Sequence, residues 1–222
     1  MSLDSLHTPT RENALNLYNS GAFAKAREMC QYLCHKSPED PEVWCLLCVI
    51  NGTVELFDEA VRCGQKAINL NPDYTLAHFN LANALLRLDK TDEAVIELQQ
   101  VLDKQPGHGL AYFLLGTCYS KQTGRVREAL DCHEKALTLL DKPPNDLIAG
   151  LAELCENTGQ TSRARILANR LLQNNPDDPR AELVLARLEK GDDQFKSACT
   201  RLQKLLRTTL SPNNELSTLG LL

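Results

Sequence analysis

Small and apolar residues recur along this chain with a long, regular period. Alanine stands at Ala26, Ala60, Ala94, Ala129, Ala164 and Ala198, at intervals of 34, 34, 35, 35 and 34 residues. The surroundings repeat too: "GAFAKA", "ELFDEA", "DKTDEA", "GRVREA", "GQTSRA" and "GDDQFKSA" each lead into a helix-like run such as "VIELQQVL". A second small residue lies 12 positions before the alanine at Ala14, Cys48, Ala82, Ala152 and Ala186. Gly116 lies 13 before its alanine, because one residue is inserted near Thr123. Leucine precedes most of these, at Leu47, Leu81, Leu115, Leu151 and Leu185. A fixed period of this length marks stacked supersecondary units. The pattern predicts two helices per unit, crossing where small side chains let the backbones approach, and no strand.

The punctuation between the helices agrees. Pro38, Pro72 and Pro106 close successive units at 34-residue spacing, Pro143 is slightly displaced, and Pro176 returns to register. Asp40-Pro41 and Asp178-Pro179 read as an N-cap followed by proline at the first helical position. Gly21, Gly124, Gly159 and Gly191 stand where the first helix of a unit should end and turn into the second. Asp92-Glu93 put negative charge at a helix N-terminus, where the macrodipole favours it.

With these residues in place the sequence resembles the tetratricopeptide repeat family. The second unit carries Trp44, Leu47, Cys48, Ala60, Ala67 and Pro72 at the family's characteristic positions, and the fourth carries Tyr112, Leu115, Gly116, Tyr119, Ala129 and Ala136. The first and sixth units depart from the pattern, with Thr10 and Glu182 where an aromatic residue is expected. The resemblance implies an all-α fold, a right-handed superhelical solenoid of antiparallel helix pairs with a concave groove. Its six units fall at about 7–40, 41–74, 75–108, 109–144, 145–178 and 179–211, with residues 1–222 forming a single solenoid domain. A partial seventh unit is expected at 213–222, because Leu216, Leu219 and Gly220 of "NELSTLGLL" repeat the leucine–glycine crossing signature.

In that family ligands usually bind along the concave face, on one stripe of each first helix. Carried over, the stripe is Glu42, Cys45, Val49 and Gly52 in unit two, then Leu76, Phe79, Asn83 and Leu86 in unit three. Unit four adds Leu110, Phe113, Thr117 and Ser120. Asp146, Glu153 and Glu156 of unit five are followed by Arg180, Arg187 and Lys190 of unit six, acid and then base. Phe79 and Phe113 stand out as anchors in an apolar centre. The Lys/Arg/Asn clamp of the chaperone-binding members finds apolar residues at its positions. The asparagine ladder of the O-linked N-acetylglucosamine transferases finds a single rung at Asn80, with Leu46, Leu114 and Gly150 as its neighbours. These residues predict a groove for a protein or peptide ligand, an apolar or amphipathic segment whose direction is fixed by a charged end. The alternative is that Phe79, Phe113 and Leu76 complete the core, with the groove filled by a terminal helix of the same chain.

Composition narrows the function further. A net charge of −5 and a pI of about 5.6 argue against a nucleic-acid binder. No apolar run approaches the roughly 20 residues that span a bilayer, so membrane insertion is not expected. "MSLDSLHTPTREN" has neither the basic flank nor the apolar stretch of a signal peptide. Nine cysteines without framework spacing then read as free thiols in a reducing cytoplasm.

Chemistry is thinly represented. Cys45 and Cys48 of "CLLC" have redox or zinc half-site spacing, with Cys30, Cys34 and His35 within sequence reach. A CxxC pair in mid-helix reads first as small buried hydrophobes. Cys132 and His133 are adjacent, which turns them to different sides of a helix and argues against a nucleophile–base pair. The expectation is a non-catalytic interaction scaffold without cofactor or metal. The alternative is the N-terminal repeat region of a larger transferase, a sulfotransferase or glycosyltransferase, whose catalytic domain is absent from this chain. "NELSTLGLL" is expected to be a cut edge, open to self-association.

Overall fold

A computed structural model describes residues 9–192 and 194–209 of the protein. The expected partial unit at 213–222, and self-association through it, lie outside the described residues. Those described form twelve α-helices and no strand. The chain divides into two compact units, 1–123 and 124–222.

The first unit holds α1 (Arg11–Asn19), α2 (Phe23–Lys36), α3 (Pro41–Thr53), α4 (Phe57–Leu70), α5 (Thr75–Arg87), α6 (Thr91–Lys104) and α7 (Gly109–Lys121). Each helix packs on its neighbours in sequence, and the first helices of successive pairs also touch, α1 on α3, α3 on α5 and α5 on α7. The repeated small residues explain this packing. Ala14, Ala26, Ala60, Ala82 and Ala94 have no exposed surface, and Cys48 is 2% exposed in the place of an alanine. Gly64 on α4 is the tightest approach recorded among the first unit's glycines. A Cβ there would lie 3.1 Å from Leu81 Cβ and 3.3 Å from Cys48 Sγ.

The helix ends follow from local chemistry. Asp40 caps α3 by accepting from the backbone N–H groups of Glu42 and Val43 at 2.9 and 3.4 Å, with Pro41 at the first position. Thr10 caps α1 in the same way, accepting from Asn13 N. The residue that departs from the repeat pattern is thus a helix-starting signal. Within most pairs, one bond closes the turn. Ala22 N donates to Leu17 O, Leu56 N to Asn51 O and Lys90 N to Leu85 O, all at 2.9 Å. This six-residue closure requires a left-handed residue just before the donor. Gly21 supplies it with φ +80°, whereas Glu55 and Asp89 adopt it at φ 61° and 59°.

Between pairs a second device recurs. Trp44 Nε1 donates to Pro38 O at 2.9 Å, and His78 Nε2 contacts Pro72 O at 2.9 Å. A ring on α3 and another on α5 therefore tie down the proline carbonyl that closes the preceding unit.

The second unit holds α8 (Val126–Leu139), α9 (Asn145–Asn157), α10 (Thr161–Asn174), α11 (Pro179–Gly191) and α12 (Phe195–Thr209). Asp178 caps α11 through Arg180 N and Ala181 N, with Pro179 at the first position. Gly124 and Gly159 take positive φ as expected of turn glycines. Gly191 does not: it is the last residue of α11, and Asp192 follows with φ −89°. The α11–α12 turn still closes by the recurrent bond, from Gln194 N to Glu189 O at 2.7 Å. Bulk and space are traded between α8 and α9, where the buried His133 ring occupies room left by Gly150. A Cβ on Gly150 would stand 3.1 Å from His133 Cε1.

Glu182 also has a structural reason. It is 4% exposed and accepts from Arg201 at 2.6 Å and Lys204 at 2.9 Å, both on α12. Lys204 further donates to Pro176 O at 3.2 Å. The proline carbonyl bound by a ring in earlier pairs is here bound by a lysine, and the buried carboxylate holds that lysine in place.

Candidate peptide-binding groove

Within the first unit, α1, α3 and α5, with Tyr74 and with Phe57 of α4, line two adjoining cavities of about 270 and 300 Å³ that share Tyr18, Val49 and Asn80. The smaller cavity is apolar. Leu15, Leu46, Val49 and Leu76 line it, and Leu15 and Leu76 are 44% and 50% exposed. The one cation at its edge, Arg11, is paired with Glu42.

The larger cavity is polar and lined by Thr53, Phe57, Asn83 and Arg87 beside the shared residues. Thr53 Oγ1 donates to Val49 O at 2.9 Å, which uses its single hydrogen. The Tyr18 hydroxyl, 3.3 Å away, is therefore the donor to Thr53. Asn80 Nδ2 donates to Cys45 Sγ at 3.3 Å. The Arg87 guanidinium lies over the Phe57 ring, 5.2 Å from its centroid, and makes no ion pair among the described residues.

Of the residues expected from sequence, Cys45, Val49, Asn80 and Asn83 thus meet at these cavities. Cys45 is almost wholly buried beneath Asn80, and burial raises its thiol pKa above the ordinary value. Phe79 lies outside both cavities and packs half-buried against the His108 ring, with centroids 4.9 Å apart. His108 in turn caps α7, its Nδ1 accepting from Ala111 N at 3.0 Å. Phe113 and Thr117 sit half-buried on α7, where the Thr117 hydroxyl donates to Phe113 O.

The second unit carries the charged residues. Arg180 pairs with Asp146 at 2.6 Å and with Asp178 at 3.2 Å, and Arg187 pairs with Glu156 at 3.2 Å. Acid and base therefore largely neutralise one another across α9 and α11, while Glu153 is half-buried and Lys190 exposed.

Sequence reasoning missed Leu15, Tyr18, Phe57 and Arg87. Leu15 and Tyr18 belong to the least typical unit, where Thr10 obscures the register. Phe57 starts a second helix, and Arg87 follows the stripe residue Leu86 at a helix end. The remaining cysteines are buried packing residues, except Cys199, which is exposed. Burial pushes Cys30 and Cys34 up to about 12 and Cys63 up to about 11. Among the described residues no group of three or more His, Cys, Asp or Glu side chains is placed to hold a metal ion. Nor is any described helix long and apolar enough to cross a membrane.

Comparison with known proteins gives consistent matches. Protein O-mannosyl-transferase TMTC1 of Homo sapiens is 26% identical over 167 residues, covering 72% of this chain. Protein O-mannosyl-transferase Tmtc3 of Drosophila melanogaster is 30% identical over 152 residues, covering 65%. The chain spans only 18% and 16% of those relatives' lengths. Among solved structures, PilW, a widely conserved type IV pilus biogenesis factor, superposes with a TM-score of 0.77 at 17% identity, over 97% of this chain and 99% of that one. That likeness concerns the fold. Tetratricopeptide repeat models match residues 55–112, 111–148 and 144–188 in succession, and with the helix pairs described above they show that the chain belongs to the tetratricopeptide repeat family.

Proposed function

We propose that this chain is a non-catalytic scaffold that binds a peptide or an amphipathic protein segment along the face formed by α1, α3 and α5. The observation that carries this reading is the pair of adjoining cavities, apolar at one end and polar at the other, sharing Tyr18, Val49 and Asn80. Exposed leucines beside unspent amide and guanidinium donors suit a ligand with both apolar and polar groups. The buried free thiols support a reducing, cytoplasmic location.

The test is selection of 12-residue peptides from a displayed library on the intact chain, followed by titration on Val49→Arg. Val49 faces the groove and is only half-buried, so the substitution blocks both cavities while circular dichroism checks the fold. Selected peptides should lose at least about tenfold in affinity, as expected for a long charged side chain in an apolar contact. Equal binding to a folded Val49→Arg chain overturns the groove as the site.

A second reading, that the array is the repeat portion of a longer transferase, is supported by the matches to two O-mannosyl-transferases of much greater length. The mass of the endogenous protein tests it, and a native product at 24.7 kDa rules it out.

A further inference from the structure

The two cavities differ in what they leave unsatisfied. In the apolar one the charge at the edge is internally balanced, Arg11 against Glu42. The lining of the polar one contains no Asp or Glu, and its single cation, Arg87, makes no ion pair among the described residues. The Phe57 ring holds the guanidinium by its face, which orients the group without neutralising it. Around it the two hydroxyls keep only acceptor capacity, and the spare donors are amide hydrogens. Thr53 has spent its hydrogen on Val49 O, and Tyr18 has spent its own on Thr53. Asn80 keeps one amide hydrogen beyond its bond to Cys45 Sγ, and the exposed Asn83 amide lies alongside. A cavity with one unpaired cation, spare amide donors and no carboxylate is complementary to an anionic oxygen group.

We infer that the partner of this groove is an acidic amphipathic segment of another protein, seating an apolar side chain among Leu15, Leu46 and Leu76 and an Asp or Glu carboxylate on Arg87. The inference rests on the groove reading above and adds the ligand's charge. The shared wall of Tyr18, Val49 and Asn80 makes the two subsites neighbours, so one short segment reaches both. Recognition here uses one ring-oriented arginine at the end of α5, because the other cation beside the groove is already paired.

The experiment uses the intact chain and synthetic 12-residue peptides. Each carries a leucine-rich face and one variable position, occupied by Asp, Asn or Lys, and is titrated by fluorescence anisotropy. The Asp peptide should bind about fivefold or more tighter than the Asn peptide, with the Lys peptide weakest. That preference should shrink with added salt. Arg87→Gln should abolish the Asp preference, and Arg87→Glu should transfer it to the Lys peptide. Arg87 is exposed, so both variants are expected to stay folded, with circular dichroism as the check. Binding that is lost in Val49→Arg but shows the same Asp preference in Arg87→Gln overturns the acidic assignment and leaves the groove intact. Binding unaffected by Val49→Arg overturns the groove itself, and no binding by any of the peptides overturns both.

Discussion

Glu55 and Asp89 occupy the left-handed turn position that Gly21, Gly124 and Gly159 fill elsewhere. A side chain at positive φ brings Cβ against the following carbonyl and costs roughly 1–2 kcal/mol, less for Asp, which tolerates this region better than Glu. Glycine removes that strain but has more unfolded-state entropy to lose. The net expectation for Glu55→Gly is stabilisation by about 0.5–1 kcal/mol, read as a higher urea midpoint at unchanged slope. Asp89→Gly should give less, because it also removes the exposed ion pair with Lys121 at 2.6 Å. A lower midpoint for Glu55→Gly would contradict the strain argument. The position was visible in the repeat register, but its backbone angle was not. Gly191 drew attention by residue type although it ends α11 without a positive φ.

Between elements, the most distinctive feature is the joint between α11 and α12. Glu182 and Glu189 are buried on α11 and meet Arg201 of α12 at 2.6 and 2.8 Å. Burial pushes the Glu182 carboxyl up, but hydrogen bonds from Lys204 and Arg201 outweigh it and hold the pKa below the ordinary value. A carboxylate depressed in the folded state contributes stability that is complete above its unfolded pKa of about 4.3 and is lost as pH falls through the lower folded value. Acidification below about pH 4 should therefore loosen α12 from α11. Glu182→Ala should do so at neutral pH, at a cost of about 2–3 kcal/mol, because Arg201 and Lys204 lose a shared partner. Hydrogen exchange of the α12 amides is the measurement, and unchanged protection in Glu182→Ala would count against this joint. In the sequence Glu182 read as a lapse from the aromatic pattern. Its partners lie 19 and 22 residues onward on another helix, beyond the reach of any local rule.

For each unit as a whole, the contacts are nearly all between consecutive helices or first helices of consecutive pairs. Stability in such an array is a sum of local and nearest-neighbour terms, so damage should spread by steps. Ile50 has no exposed surface, and Ile50→Ala should cost about 2–5 kcal/mol. Amide protection should then fall most in α3 and α4, less in α5, and least in α6 and α7. Uniform loss across residues 9–123 would indicate a single cooperative core instead.

The sequence by itself determined the helical class, the pairing of helices and the family. These follow from periodic small residues and turn signals, which act over a few residues and repeat. It also singled out Val49 and Asn83 on the stripe and Asn80 at the ladder position, and all three line the two cavities. Only the tertiary structure decided which groups on that face remain available. Phe79 is engaged by His108, Arg180 and Arg187 by acids on α9, and Arg11 by Glu42. Arg87, over Phe57, makes no ion pair among the described residues. Whether a charge is spent or free depends on neighbours about thirty residues away, brought within 4 Å by packing, and a one-dimensional pattern carries no such distance.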